Sequence, residues 1–120
     1  MIEPIPGLPD NAIGFTASGT VTAEDYEQHI IPAVDALVAS AGKVRFLYHL
    51  GAEFESFDLG AAWDDARLGL RHMLDWEKIA VVTDKEWISN TVRVFGVIMP
   101  GEVRVFGNQD LDKAKVWIAS

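Results

Sequence analysis

Strand alternating with helix at short spacing predicts that this chain is a single α/β domain, a mixed and mostly parallel sheet of about five strands with about four helices. Two segments carry the prediction. Lys78 to Thr83 (KIAVVT) is an apolar strand that ends on Asp84 and is followed by a helical segment from Trp87, and EVRVFGNQDLDKAKVWI repeats the pattern over residues 102–118. The length of 120 residues sets a third bound: one core of two or three layers, with no second domain.

The elements follow in order. Ile2 to Ile5 reads as a short edge strand, where Pro4 is tolerated because an edge has positions that need no donor. Pro6, Gly7, Pro9, Asp10 and Asn11 make a turn, and Ala12 to Val21 alternates Ile13, Phe15 and Ala17 against Gly14, Thr16 and Ser18, a strand that pairs with the first as a hairpin. Thr22 and Asp25 have the spacing of a capping box. From there Tyr26, Ile30, Ala33, Val34, Leu37 and Ala41 form the apolar face of a helix that Gly42 ends and that Pro32 is expected to kink, because the ring removes the bond to the Gln28 carbonyl. Val44 to Leu50 is the next strand, and GAEFESF, residues 51–57, is expected to be an irregular connection. Asp58 reads as the N-cap of a helix whose apolar stripe is Leu59, Ala62, Trp63, Ala66, Leu70 and Leu74, with Asp64–Arg67 and Arg71–Asp75 spaced to pair across single turns. Strand 78–83, a helix over 86–95 ending at Gly96, strand 102–106 and a helix from Asp110 to Ile118 complete the chain.

Composition excludes several functions. A net charge of -8, with only ten Lys and Arg residues spread along the chain, argues against nucleic acid and against anionic lipid surfaces. The absence of cysteine removes disulfides, thiol catalysis and thiolate-ligated metals. The opening MIEPIPGLPDN lacks the basic and apolar regions of a signal peptide, and no apolar run reaches the length of a membrane span, so a cytoplasmic protein is expected. The three histidines, His29, His49 and His72, are spread over separate elements and the acids Glu53, Glu55, Asp58, Asp64 and Asp65 lack calcium-loop spacing, so no metal site and no cofactor is expected.

Several segments then stand in one order: GTVTAEDYEQHIIPAVDAL, the GAEFESFDLGAAWDD connection, KIAVVTDKEW and GEVRVFGNQDLDKAKVWI. Together they resemble the STAS superfamily, specifically its anti-sigma-factor-antagonist-like (SpoIIAA-like) branch of small bacterial stand-alone domains, which is related to the SEC14 lipid-binding fold. The resemblance covers essentially the whole chain. It implies helices packed mainly over one face of the sheet and a non-enzymatic regulatory or protein-interaction role. It also implies a serine in an Asp-Ser-Ser-Gly turn, phosphorylated by an anti-sigma-factor kinase as a partner switch. Here that motif is absent. The nearest hydroxyl, Ser56, is flanked by Glu53, Glu55 and Asp58, and a phosphate placed there would meet like charge, so Ser56 is a poor phosphoacceptor.

The remaining candidates are binding residues. His49 falls at the carboxyl end of a central strand, where open parallel sheets place ligand crevices, although no nucleophile or paired base stands near it in sequence to make it catalytic. Phe54, Phe57 and Trp63 cluster around the 51–57 connection, with Trp87 just beyond the next strand and Asp84 at its end. If the two connections converge, these residues would wall an apolar pocket or a patch for a protein partner at the carboxyl edge of the sheet; otherwise they are core. Two function classes follow: an interaction domain, with a homodimer through the edge strand or the aromatics as one form, and a module that binds a small apolar or amphipathic, lipid-like ligand. An enclosed apolar cavity beneath the aromatic rings distinguishes the second from the first.

Overall fold

The computed structural model describes residues 1–120. β1 (Ile2–Pro4) and β2 (Ala12–Val21) are the expected hairpin, antiparallel with Ile2 opposite Ala17. β3 (Val44–Phe57), β4 (Trp76–Thr83) and β5 (Glu102–Phe106) then add in parallel, and the strand order is the sequence order. Each parallel crossover carries a helix: α1 (residues 23–41) between β2 and β3, α2 (Leu59–Arg71) and α3 (Glu86–Ile98) in the next two. Because every crossover steps in the same direction, the preferred right-handed connection puts all three helices on one face. α4 (Leu111–Ala119), which follows a 3₁₀ turn at Asn108–Asp110, covers the other.

Alternation along the strands divides the core accordingly. Phe46, Tyr48, Leu50 and Val81 point at α1 to α3 within the larger cluster, whereas Leu47, Ala80 and Val82 meet Ala114 and Ile118 of α4 in a smaller one. At each fully buried aliphatic side chain, such as Leu47 or Val82, removal of its surface from water contributes about 1.5–3 kcal/mol.

α1 shows how the chain accommodates its proline. The helix starts at Ala23–Asp25 behind a capping box made by Thr22 and Asp25, widens into a π-helical turn at Tyr26–Ile30, and continues as Ile31–Ala41. The Ile31 N–H reaches back five residues to the Tyr26 carbonyl, directly before Pro32. The expected kink is therefore taken up as a π-turn that loosens the hydrogen-bond ladder before the residue that cannot donate to it.

Four other expectations need correction. Residues 51–57 are strand, not loop: after a break in register beyond Leu50, Phe54, Ser56 and Phe57 pair with Gly19, Thr20 and Val21, so β3 runs to Phe57. α3 does not stop at Gly96 but runs to Ile98, and Gly96 instead lets Val103 approach, since a Cβ there would lie 3.1 Å from the Val103 Cβ. The spaced ion pairs of α2 do not form. Arg71 and His72 both reach Asp35 on α1, and His72 also contacts Asp75, while Asp64 is buried with Oδ2 unpaired.

The fourth concerns the apolar stripe of α2. Its buried residues are Ala61, Asp64 and Leu68, which face α1 and the sheet. Leu59, Trp63, Leu70 and Leu74 are instead between 62% and 92% exposed. Periodicity locates an apolar stripe but does not say what it faces, and this one has no protein packed over it.

Candidate functional site

Between the helix-covered face of the sheet and the pair α2 and α3 lies a cavity of about 400 Å³. Phe46, Tyr48 and Leu50 of β3, with Ile79 and Val81 of β4, form the floor; Asp65 and the small residues of α2 make one wall, and Trp87, Ile88, Thr91 and Phe95 of α3 the other. The space exists because of side-chain size. α2 presents Ala62, Ala66 and Gly69 to it, one and two turns apart on one side of the helix, so the helix spans the gap without filling it. Trp87 both lines the cavity and is 55% exposed, which places it at the mouth.

The walls are apolar except at one end. There the Tyr26 hydroxyl donates to Asp65 Oδ1 at 2.8 Å and lies 3.1 Å from the Tyr48 hydroxyl. The three come from α1, β3 and α2, held by the π-turn, the strand alternation and the helix spacing in turn. Burial pushes both tyrosine hydroxyls up from their ordinary range, with the charge of Asp65 adding to it, so both remain protonated. Asp65 exposes its surface to the cavity, yet the protein around it desolvates the carboxylate and raises its pKa, against the lowering effect of the Tyr26 hydrogen bond. It is the one charged side chain among the lining residues. The arrangement offers an apolar chamber with a hydrogen-bonding end, and no nucleophile paired with a base.

The aromatic and polar residues singled out from the sequence divide among several places. Phe57 and Trp87 line the cavity, and Phe54 lies buried beneath, its ring centroid 5.0 Å from that of Phe57. Trp63 points outward from α2, 65% exposed. Asp84 closes a turn, its Oδ1 accepting the Asn108 N–H at 2.9 Å, and Ser56 is exposed on the far end of β3. His49 is on the opposite face of the sheet, its Nδ1 3.2 Å from the Thr16 hydroxyl; burial, with the Lys115 charge, holds its pKa below the ordinary value. Strand alternation separates it from the cavity, since Tyr48 and His49 are successive residues of β3. The strand order also never reverses, so the sheet has no switch-point crevice at His49.

Nothing in the sequence brings Tyr26, Tyr48 and Asp65 together. Tyr26 reads as one more apolar-face residue of a helix and Tyr48 as one more strand position, and 22 and 39 residues separate Tyr26 from its two partners. The only local signal is at Asp65, an acid set between Ala62 and Ala66 on the side of α2 that carries its small residues.

Residues 12–119 match the family model described as SpoIIAA-like. Among solved structures, the chain is similar to an uncharacterised protein of the DUF3478 family with a SpoIIAA-like fold, from Shewanella loihica PV-4. The two are 30% identical, with a TM-score of 0.77 over 98% of this chain and 92% of that one. No curated protein matches. No helix is long and apolar enough to cross a membrane. With the ordered segments of the sequence, the consecutive mostly parallel sheet and a family match that spans all but residues 1–11 and the final residue, the chain belongs to the SpoIIAA-like family.

Proposed function

We propose that this protein is a non-enzymatic binding module that holds a small amphipathic molecule in the cavity under α2 and α3. One observation supports the reading above the others: the small-residue side of an amphipathic helix faces an apolar cavity of about 400 Å³ rather than the core. Apolar surface left against such space forgoes its packing contacts, and a ligand restores them. Each methylene buried contributes about 0.8 kcal/mol. Association costs at least about 4 kcal/mol, so about five methylenes are needed to offset it. Ligands that meet this requirement fit the space, which at about 30 Å³ per water-sized group takes about 13 such groups and opens to solvent at Trp87, so that a longer molecule can project from the mouth.

Native mass spectrometry of protein purified from cells tests for a retained molecule, and N-phenyl-1-naphthylamine, an uncharged fluorescent probe, tests the cavity itself. The probe's emission is expected to rise with the wild type and not with Ala66→Phe, whose ring occupies the cavity. Equal response from both proteins would remove the reading.

A second reading, a protein-interaction domain, draws on the outer faces of the same helices. Leu59, Trp63 and Leu70 of α2, Leu74 in the turn after it, and Val94, Val97 and Ile98 of α3 are all exposed, more apolar surface than solitary exposed side chains account for. The two readings are compatible, since a ligand that moves α2 or α3 would alter the outward faces of both.

A further inference from the structure

We infer that the cavity selects a molecule whose polar end is a hydrogen-bond donor, an amine before an alcohol, and turns away carboxylates and phosphates. The inference rests on the cavity reading above and concerns what its polar end accepts.

The direction of the hydrogen bonds decides it. A tyrosine hydroxyl has one hydrogen to give. Tyr26 gives its own to Asp65 Oδ1, so the hydrogen between the two tyrosines must come from Tyr48. Both hydroxyl hydrogens are then used inside the chain. What remains on the two residues that line the cavity is the free lone pair of Tyr48 and the second oxygen of the Asp65 carboxylate, both acceptors when that carboxylate is ionised.

The other polar side chains on the lining do not reverse this. Thr91 spends its hydroxyl hydrogen on the Trp87 carbonyl at 2.8 Å, and Trp76 spends its indole N–H on the Gly69 carbonyl at 3.2 Å. The Trp87 indole, at the mouth, is the one side-chain donor left uncommitted, and no Lys, Arg or His lines the cavity. Asp65 takes part in none of the molecule's ion pairs. An anionic head would lose its water, meet a carboxylate and find no cation to replace the lost hydration. A primary ammonium would meet two acceptors and an opposite charge among aromatic rings, which favours it further. An alcohol can donate to one acceptor and has no charge to repel.

Displacement of N-phenyl-1-naphthylamine at neutral pH by three probes with the same tail, decylamine, decan-1-ol and decanoate, tests the inference. Decylamine is expected to displace the probe at about tenfold lower concentration than decan-1-ol, and decanoate to need at least about tenfold more than the alcohol. Asp65→Asn is expected to bring amine and alcohol within about threefold of each other. If that variant fails to fold, Tyr48→Phe, which removes one acceptor, is expected to weaken both by about threefold or more while the naphthylamine still binds. Decanoate displacing as well as decylamine would overturn the head-group assignment and leave the cavity reading standing, because the probe would still have been bound and expelled. Failure of the naphthylamine to bind the wild type would overturn both.

Discussion

Asp65 is the residue on which most depends. A carboxylate at the edge of an apolar cavity, with a single hydroxyl donor and no cation, is destabilising in its charged form. Its folded pKa is raised above the ordinary 3.8. Linkage then gives the sign: its contribution favours the folded state below the unfolded value, near pH 3.8, and is lost as pH rises through the raised folded value. As pH rises toward neutral, ionisation of this group therefore works against folding. Asp65→Asn keeps the acceptor for Tyr26 and is expected to raise the melting temperature at neutral pH, with the advantage shrinking toward zero below the ordinary carboxylate range. Thermal melts of both proteins across that range check it, and a variant less stable at neutral pH would contradict it. Asp35 behaves oppositely. The His72 hydrogen bond, assisted by Arg71, lowers its pKa, so its contribution is present above the ordinary carboxylate value and is lost as pH falls through the lower folded one. Being half exposed, it contributes little.

At the scale of elements, the molecule is unevenly secured. β3 and β4 lie between neighbouring strands and are covered on both faces, and α4 seals the far side with Ala114 and Ile118 fully buried. α2 rests chiefly against the start of α1, where Gly60 lets the backbones close so far that a Cβ there would lie 2.8 Å from the Ala23 Cβ. α2 and α3 are separated by the cavity and share few contacts. Local opening follows contact density. Amide hydrogen exchange is therefore expected to be at least about a hundredfold faster in the second half of α2 than in the centre of β3. Saturation with N-phenyl-1-naphthylamine is expected to slow exchange in α2 and α3 and leave α4 unchanged, because α4 is on the other face. Uniform protection with no response to the probe would show that the roof is as rigid as the floor. This is also the scale on which the sequence was most legible. The hairpin, the capping box at Thr22, the Asp58 cap, which accepts the Ala61 N–H at 2.7 Å, and the order of strands and helices are all local chemistry. The extension of β3 is written locally too: Glu53, Phe54 and Glu55 alternate exposed, buried and exposed, as a strand does.

For the whole molecule, the outward faces of α2 and α3 carry most of the large exposed apolar side chains. The edge strand β1 is a poor seam, since it is three residues long and contains Pro4 and an outward Glu3. The exposed apolar residues of the two helices make the better surface. If a second copy covers it, light scattering should show a concentration-dependent dimer that Trp63→Glu returns to monomer. A wild type that is monomeric at high concentration removes self-association and leaves a different protein, or the ligand alone, as the partner. A charge of -8 on each copy opposes the dimer, so raising the salt concentration should strengthen it.

The sequence by itself determined the fold class, the family resemblance and the absence of a phosphoserine turn, because each is written in neighbouring residues: periodicity, caps and an ordered set of short segments. It also determined that α2 has an apolar stripe. Only the tertiary structure decided that this stripe faces outward and onto a cavity, that Phe57 and Trp87 reach the cavity while Trp63 and His49 do not, and that Tyr26, Tyr48 and Asp65 meet at one end. The physical reason is the same in each case. A helix's periodicity records its own apolar side, but the direction in which that side points is set by neighbours far away in the chain, and the cavity is made by what small side chains leave empty.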